Sequence, residues 1–124
     1  MSTNMARKPK GWRTITTRII TDDVAGLVKF IKKVFKAEGK FQATHPTELK
    51  IGDSWLMVSG TEARRAFPAL LYVYVTDVDA TFKLAVKAGA TSIEEPWDLP
   101  YGDRRGMVED AWGNIWQIAT FLHR

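Results

Sequence analysis

Residues 70–89, LLYVYVTDVDATFKLAVKAG, change period halfway along. Leu71, Val73 and Val75 alternate with Leu70, Tyr72 and Tyr74, the two-residue rhythm of a strand with one buried face. From residue 77 to 88 the pattern becomes helical, and Gly89 supplies a stop. The same order occurs earlier. Residues 13–21, RTITTRIIT, are rich in β-branched side chains, with Ile15, Thr17 and Ile19 at alternate positions. Over residues 22–38, Val24, Leu27, Val28, Ile31, Val34 and Phe35 oppose Lys29, Lys32, Lys33 and Lys36, which predicts an amphipathic helix. Thr21 or Asp22 is the expected cap of that helix, and Gly39 its left-handed end.

Each strand–helix pair precedes three short extended segments. In the first half these fall at residues 40–43, 47–51 and 54–59, with Gly52-Asp53 as a tight reversal. In the second half they fall at residues 91–95, 105–109 and 115–121, with Trp112-Gly113-Asn114 as the turn before the last. TDDV at 21–24 answers TDVD at 76–79, and IGDSW at 51–55 answers WGNIW at 112–116, at offsets of about 55 and 61 residues. Element order, turn chemistry and residue matches agree on a duplicated β-α-β-β-β unit.

The chain is one domain in length. Residues 1–11 read as a basic tail and 12–124 as a single domain, with module one at about 12–60 and module two at about 69–122. With 45% hydrophobic and 26% charged residues, it is too apolar for intrinsic disorder. No apolar run is long enough to span a membrane and residues 1–10 lack a signal-peptide centre, so a cytoplasmic site is expected. The absence of cysteine excludes disulfides, thiolate nucleophiles and Cys-held metals, and only two histidines remain. The net charge of +4 resides in Arg7, Lys8, Lys10 and Arg13, which leaves a neutral body. With no base-reading motif, nucleic acid is not the expected partner.

Parity puts Ile15, Ile19, Leu71, Val73, Val75, Trp116 and Ile118 under the helices, with Trp55 packed like Trp116. It sends Thr14, Thr16, Arg18, Leu70, Tyr72, Tyr74, Ile115 and Gln117 to the opposite face, which mixes apolar wall with hydroxyls, a guanidinium and an amide, as a small-molecule site requires. An inward Arg18 needs an acid, a wet cavity or an anionic ligand. Trp97 and Tyr101 lie in a proline-bracketed stretch, EPWDLPY at 95–101, that reads as a loop whose rings either contact a ligand or pack on the edge of the cup or on a partner subunit.

The repeated element order, ELKIGDS at 48–54, YVTDVDA at 74–80 and above all YGDRRGMVEDAWGNIW at 101–116 resemble the vicinal oxygen chelate superfamily of glyoxalase I, bleomycin-resistance proteins and extradiol dioxygenases, and within it the PhnB-like branch. The resemblance spans residues 12–121. It implies an α+β fold of two βαβββ modules forming a cupped mixed sheet, a homodimer, and a small ligand or divalent metal in the cup. It brings Arg104 in as a further ligand candidate, beside pairing with Asp103 or Glu109. The metal positions it implies fall on Thr16, Leu56, Leu70 and Gln117, of which only Gln117 is a donor of any use, so no metal and no cofactor are expected.

The expected function is metal-independent binding of a small, planar or anionic organic molecule by Thr16, Arg18, Tyr72, Tyr74, Trp97, Tyr101, Arg104 and Gln117. The alternative is a metal-dependent enzyme of the same superfamily, a lyase, isomerase or dioxygenase, using Glu48 with His45. Against it, His45 reads as a strand-end imidazole, Glu48 as a solvated carboxylate and His123 as part of a frayed terminus.

Overall fold

The computed structural model describes residues 7–123. In chain order the elements are β1 (Thr17–Ile20), α1 (Val24–Phe35), β2 (Thr47–Ile51), β3 (Ser54–Ser59), β4 (Leu70–Tyr74), α2 (Val78–Lys87), β5 (Thr91–Asp98), β6 (Asp103–Glu109) and β7 (Ile115–Phe121). They form a mixed α+β fold with a first sheet ordered β1-β3-β2 and a second ordered β4-β7-β6-β5. In each sheet the opening strand runs parallel to the closing strand of its own module, β1 with β3 and β4 with β7. No helix among the described residues is long and apolar enough to cross a membrane.

The duplication is visible in the hydrogen bonds. Asp23 caps α1 by accepting from the Gly26 amide, and Asp77 caps α2 by accepting from the Ala80 amide. The Thr21 amide donates to the Ser59 carbonyl, as the Val75 amide does to that of Ala119. Structurally equivalent positions are therefore 54 residues apart at the helix starts and 60 apart at the closing strands. Both values are one less than the sequence matches suggested. One residue matters in a strand, because it exchanges the two faces. Leu56 is thus the counterpart of Trp116, and both are buried under the helices. Trp55 instead lies on the other face, where its ring stacks on Trp12 with centroids 4.7 Å apart. Its packing is not that of Trp116.

Four further expectations need correction. Residues 40–43 form no strand; a single bridge between Glu38 and Lys50 stands in their place, and the first sheet has three strands. β1 begins only at Thr17, leaving Ile15 86% exposed rather than under α1. Neither Thr21 nor Asp22 caps α1; the Thr21 hydroxyl accepts from the Asp23 amide and supports the true cap. Lys36, with φ of 55°, takes the left-handed position expected of Gly39.

One core joins the modules. Ile19, Leu49 and Val58 of the first sheet and Val108, Trp116 and Ile118 of the second are fully buried against the inner sides of the two helices. The motif stretch at 110–116 makes a second joint. The Trp112 indole N–H donates to Asp23 Oδ2 at 3.1 Å, and its ring meets Phe30 edge-on. A Cβ on Gly26 would lie 2.8 Å from the Trp112 ring, so glycine is what lets the indole settle on the helix start. Residues 1–6 of the expected tail lie outside the described residues.

Candidate functional site

With one face of each sheet committed to the helices, the other is open, and strand parity decides what stands on it. On β4 the open face carries Leu70, Tyr72 and Tyr74; on β7 it carries Ile115 and Gln117; on β6 it carries Asp103, Arg105 and Met107. Tyr72 is in register with Gln117 and Gln117 with Met107, so these three form one row across the sheet. Trp97 belongs to β5 rather than to a loop, opposite Arg105. The edge strand accommodates Pro96 through register shifts between Ser92 and Trp97. Tyr101 lies in the turn before β6 and is 56% exposed.

The polar groups of this face form two linked sets. Asp103 is 1% exposed, and its Oδ2 accepts from the Tyr72 hydroxyl at 2.6 Å and the Tyr74 hydroxyl at 2.9 Å. Beside it the Arg105 guanidinium donates to Glu94 at 3.0 Å and to the Tyr101 hydroxyl at 3.3 Å. Burial of the hydroxyl end, then the bond and charge of Asp103, hold the Tyr72 phenol well above the usual phenol range. Tyr72 therefore stays protonated at neutral pH and serves as a fixed donor, not as a base. Burial opposes the Arg105 charge, but the Glu94 bond and charge more than offset it, and the guanidinium ends above its ordinary value.

A cleft of about 480 Å³ opens along the free edge of β4, between the two modules. Thr17, Trp55 and Leu56 of the first module form one wall; Leu71 to Thr76 and Trp116 of the second form the other, and Phe35 and Lys36 close the α1 end. Tyr72 and Tyr74 line it as well, so the cleft and the open face share these two residues, whose hydroxyls reach over β7 to Asp103 on β6. Asp53, also in the lining, is held below the usual carboxylate range by the Ser54 hydroxyl and by Arg13. The size falls in the range of small-molecule sites.

The expected site residues divide accordingly. Tyr72, Tyr74, Gln117, Trp97 and Tyr101 share the open face of the second sheet. Arg104 does not join them. It points to the helix side, where Asp79 holds it through two bonds of 2.9 and 3.0 Å and Asp98 through one of 2.9 Å, rather than Asp103 or Glu109. Arg18 stands on the open face of the first sheet, level with Met57, and its Nε donates to the Ser59 hydroxyl at 2.8 Å. No acid pairs with it among the described residues. Thr16 precedes β1, half-buried. Asp103, Arg105 and Glu94 are the members the sequence reading missed, although the alternation of 103, 105 and 107 with the buried Val108 register could have found the first two.

The positions implied for a metal do not fit one. Leu56 faces α1, Leu70 is an exposed aliphatic side chain, Thr16 lies ahead of its strand, and Gln117 is a neutral amide. Among the described residues no three His, Asp or Glu side chains converge. Glu48 and His45 are both exposed, and the His45 Nδ1 lies beside the Pro46 carbonyl at 3.2 Å. The donor set is short of what a divalent cation needs.

A family model for the Glyoxalase/Bleomycin resistance protein/Dioxygenase superfamily matches residues 13–118. An uncharacterised protein of Mycobacterium bovis is 27% identical over 122 residues, covering 84% of this chain and 80% of its own length. Among solved structures, TioX from Micromonospora sp. ML1 superposes with a TM-score of 0.75 at 24% identity, covering 89% of this chain and 99% of that one. A superfamily enzyme from Burkholderia phytofirmans gives 0.76 at 22% identity, covering 86% and 97%. At these identities the two structures speak to fold.

Proposed function

The chain belongs to the glyoxalase/bleomycin resistance protein/dioxygenase superfamily, and from that premise we propose that it binds a small organic molecule without a metal. The observation that carries the reading is the cleft of about 480 Å³ between the modules, along a strand whose Tyr72 and Tyr74 are fixed by Asp103. Leu71, Val73, Phe35 and Trp55 offer apolar area, and the phenols supply orientation. Both are what holding a ligand requires. Chemistry on a ligand in this superfamily's metal-dependent manner would need donors that Thr16, Leu56, Leu70 and Gln117 do not provide. The protein is proposed to act in the cytoplasm as a homodimer, and the YGDR stretch at 101–104 favours the PhnB-like branch.

A thermal-shift screen of small metabolites, antibiotics and divalent metals tests this, because a ligand that prefers the folded state raises the melting temperature by mass action. An organic compound is expected to stabilise the protein, and Tyr74→Phe to weaken that effect. Stabilisation by metal alone, lost on substituting His45 and Glu48, would favour the enzyme reading instead.

A further inference from the structure

On the open face of the first sheet, Arg18 and Ile20 of β1 stand beside Met57 and Ser59 of β3. Phe67 is directly opposite Ile20 in an antiparallel bridge, its amide donating to the Ile20 carbonyl at 3.0 Å, so its side chain joins that face. The ring is 61% exposed, and the Arg64 guanidinium lies 5.6 Å from its centroid. Positive charge and apolar surface thus meet at one end of the sheet.

What the polar groups there have left to offer is all of one kind. The Arg18 Nε donates to the Ser59 hydroxyl at 2.8 Å, which steadies the guanidinium and leaves its two terminal nitrogens without a partner among the described residues. Ser59 is 6% exposed and accepts that bond, yet its own proton meets no acceptor among the described residues. Donors without an acceptor, grouped around a cation, match an oxyanion. The chain's own carboxylates do not fill the place. Glu62 folds back against Gly60, Glu48 stands on the far side of Met57, and neither forms an ion pair among the described residues.

We propose that this end of the first sheet binds the carboxylate of a small organic acid, with its oxygens on the terminal nitrogens of Arg18 and its apolar body against Ile20, Met57 and Phe67. Ser59 acts as a positioning residue that aims the guanidinium, and Arg64 adds positive charge at the rim. The planar fork pairs both oxygens of a carboxylate at once, and the apolar flank favours an organic acid over inorganic phosphate, which gains nothing from it. None of Arg18, Ser59 and Phe67 lines the cleft, so the two sites are independent and a ligand can fail at one without failing at the other.

Titration of 3-phenylpropanoate, 3-phenylpropanol and inorganic phosphate at neutral pH, followed by the Arg18 Nε–H and the backbone amides of β1 and β3, tests this. The carboxylate is expected to shift these resonances saturably and to bind at least about fivefold more tightly than the alcohol or phosphate. Arg18→Gln, at an exposed position, is expected to erase the preference over the alcohol while the spectrum stays folded. Arg18→Lys is expected to keep no more than about half of the carboxylate affinity, because an ammonium has the charge without the fork. Alcohol or phosphate binding as tightly as the carboxylate overturns the organic-acid assignment, and so does an Arg18→Gln protein that keeps the preference or an Arg18→Lys protein that binds like the parent. Shifts confined to β4, or no response to the carboxylate at millimolar concentration, also overturn it and leave the cleft to its own thermal-shift test.

Discussion

Tyr72 is the residue on which the local chemistry turns. Its phenol is held above the ordinary value of 10.0, so ionisation is harder in the folded chain than in the unfolded one. The sign follows from linkage: the stabilisation is complete below the usual phenol range and is lost as pH rises above about 10. The chain has three tyrosines, which makes this measurable. In an ultraviolet titration the Tyr72 phenol is expected to ionise later than in a model peptide, and Tyr72→Phe is expected to remove its contribution to the late step. Arg104 makes the contrasting case. Its guanidinium serves Asp79 and Asp98 on the helix side, so Arg104→Gln is expected to leave ligand affinity within about twofold in a binding titration, as for a surface change remote from a site. Sequence could name Arg104 but did not aim it, because the expected strand began at residue 105 and left 104 outside the alternation. Once Asp103 opens the strand, 103 and 105 face outward and 104 faces the helix.

At the scale of elements, the 110–116 turn fixes the geometry of the second module. Asp110 accepts from the amides of Trp112 and Asn114, from the Asn114 side chain and from the Trp116 indole, while Asn114 Oδ1 accepts from the Ala69 amide just ahead of β4. Asp110 and Asn114 are both buried, at 5% and 1% exposure. Removing Asn114 leaves partners without bonds in a site closed to water, so Asn114→Ala is expected to cost about 2–4 kcal/mol in urea unfolding. The turn ties β4 to β7, and so holds the strand that carries Tyr72 and Tyr74. Much of this level was legible beforehand: hydrophobic period separated strand from helix, and glycine-bearing turns marked the reversals. The first module's missing fourth strand was not, because residues 40–43 have extended propensity but no ladder partner. The register slip had a similar cause, since two tryptophans matched by eye while the backbone pairs Leu56 with Trp116 as equivalents.

For the whole molecule the open question is what covers the outward faces. Leu70, Tyr74, Phe121 and Leu122 are each at least 44% exposed on or beside the second sheet, an unusual density for so small a chain. A second copy would bury them, and sedimentation at micromolar concentration is expected to show a dimer; Leu70→Glu is expected to shift it toward monomer. The cleft itself is proposed to hold an organic ligand with no metal between them. Calorimetric titration of an organic compound selected by thermal shift into chelator-treated protein, before and after adding Zn, Mn, Ni or Fe, measures it most directly. Saturable binding is expected, with an affinity that the metals leave unchanged and Tyr74→Phe weakens; binding that appears only with a stoichiometric metal ion would show instead that the cleft holds its ligand through a metal.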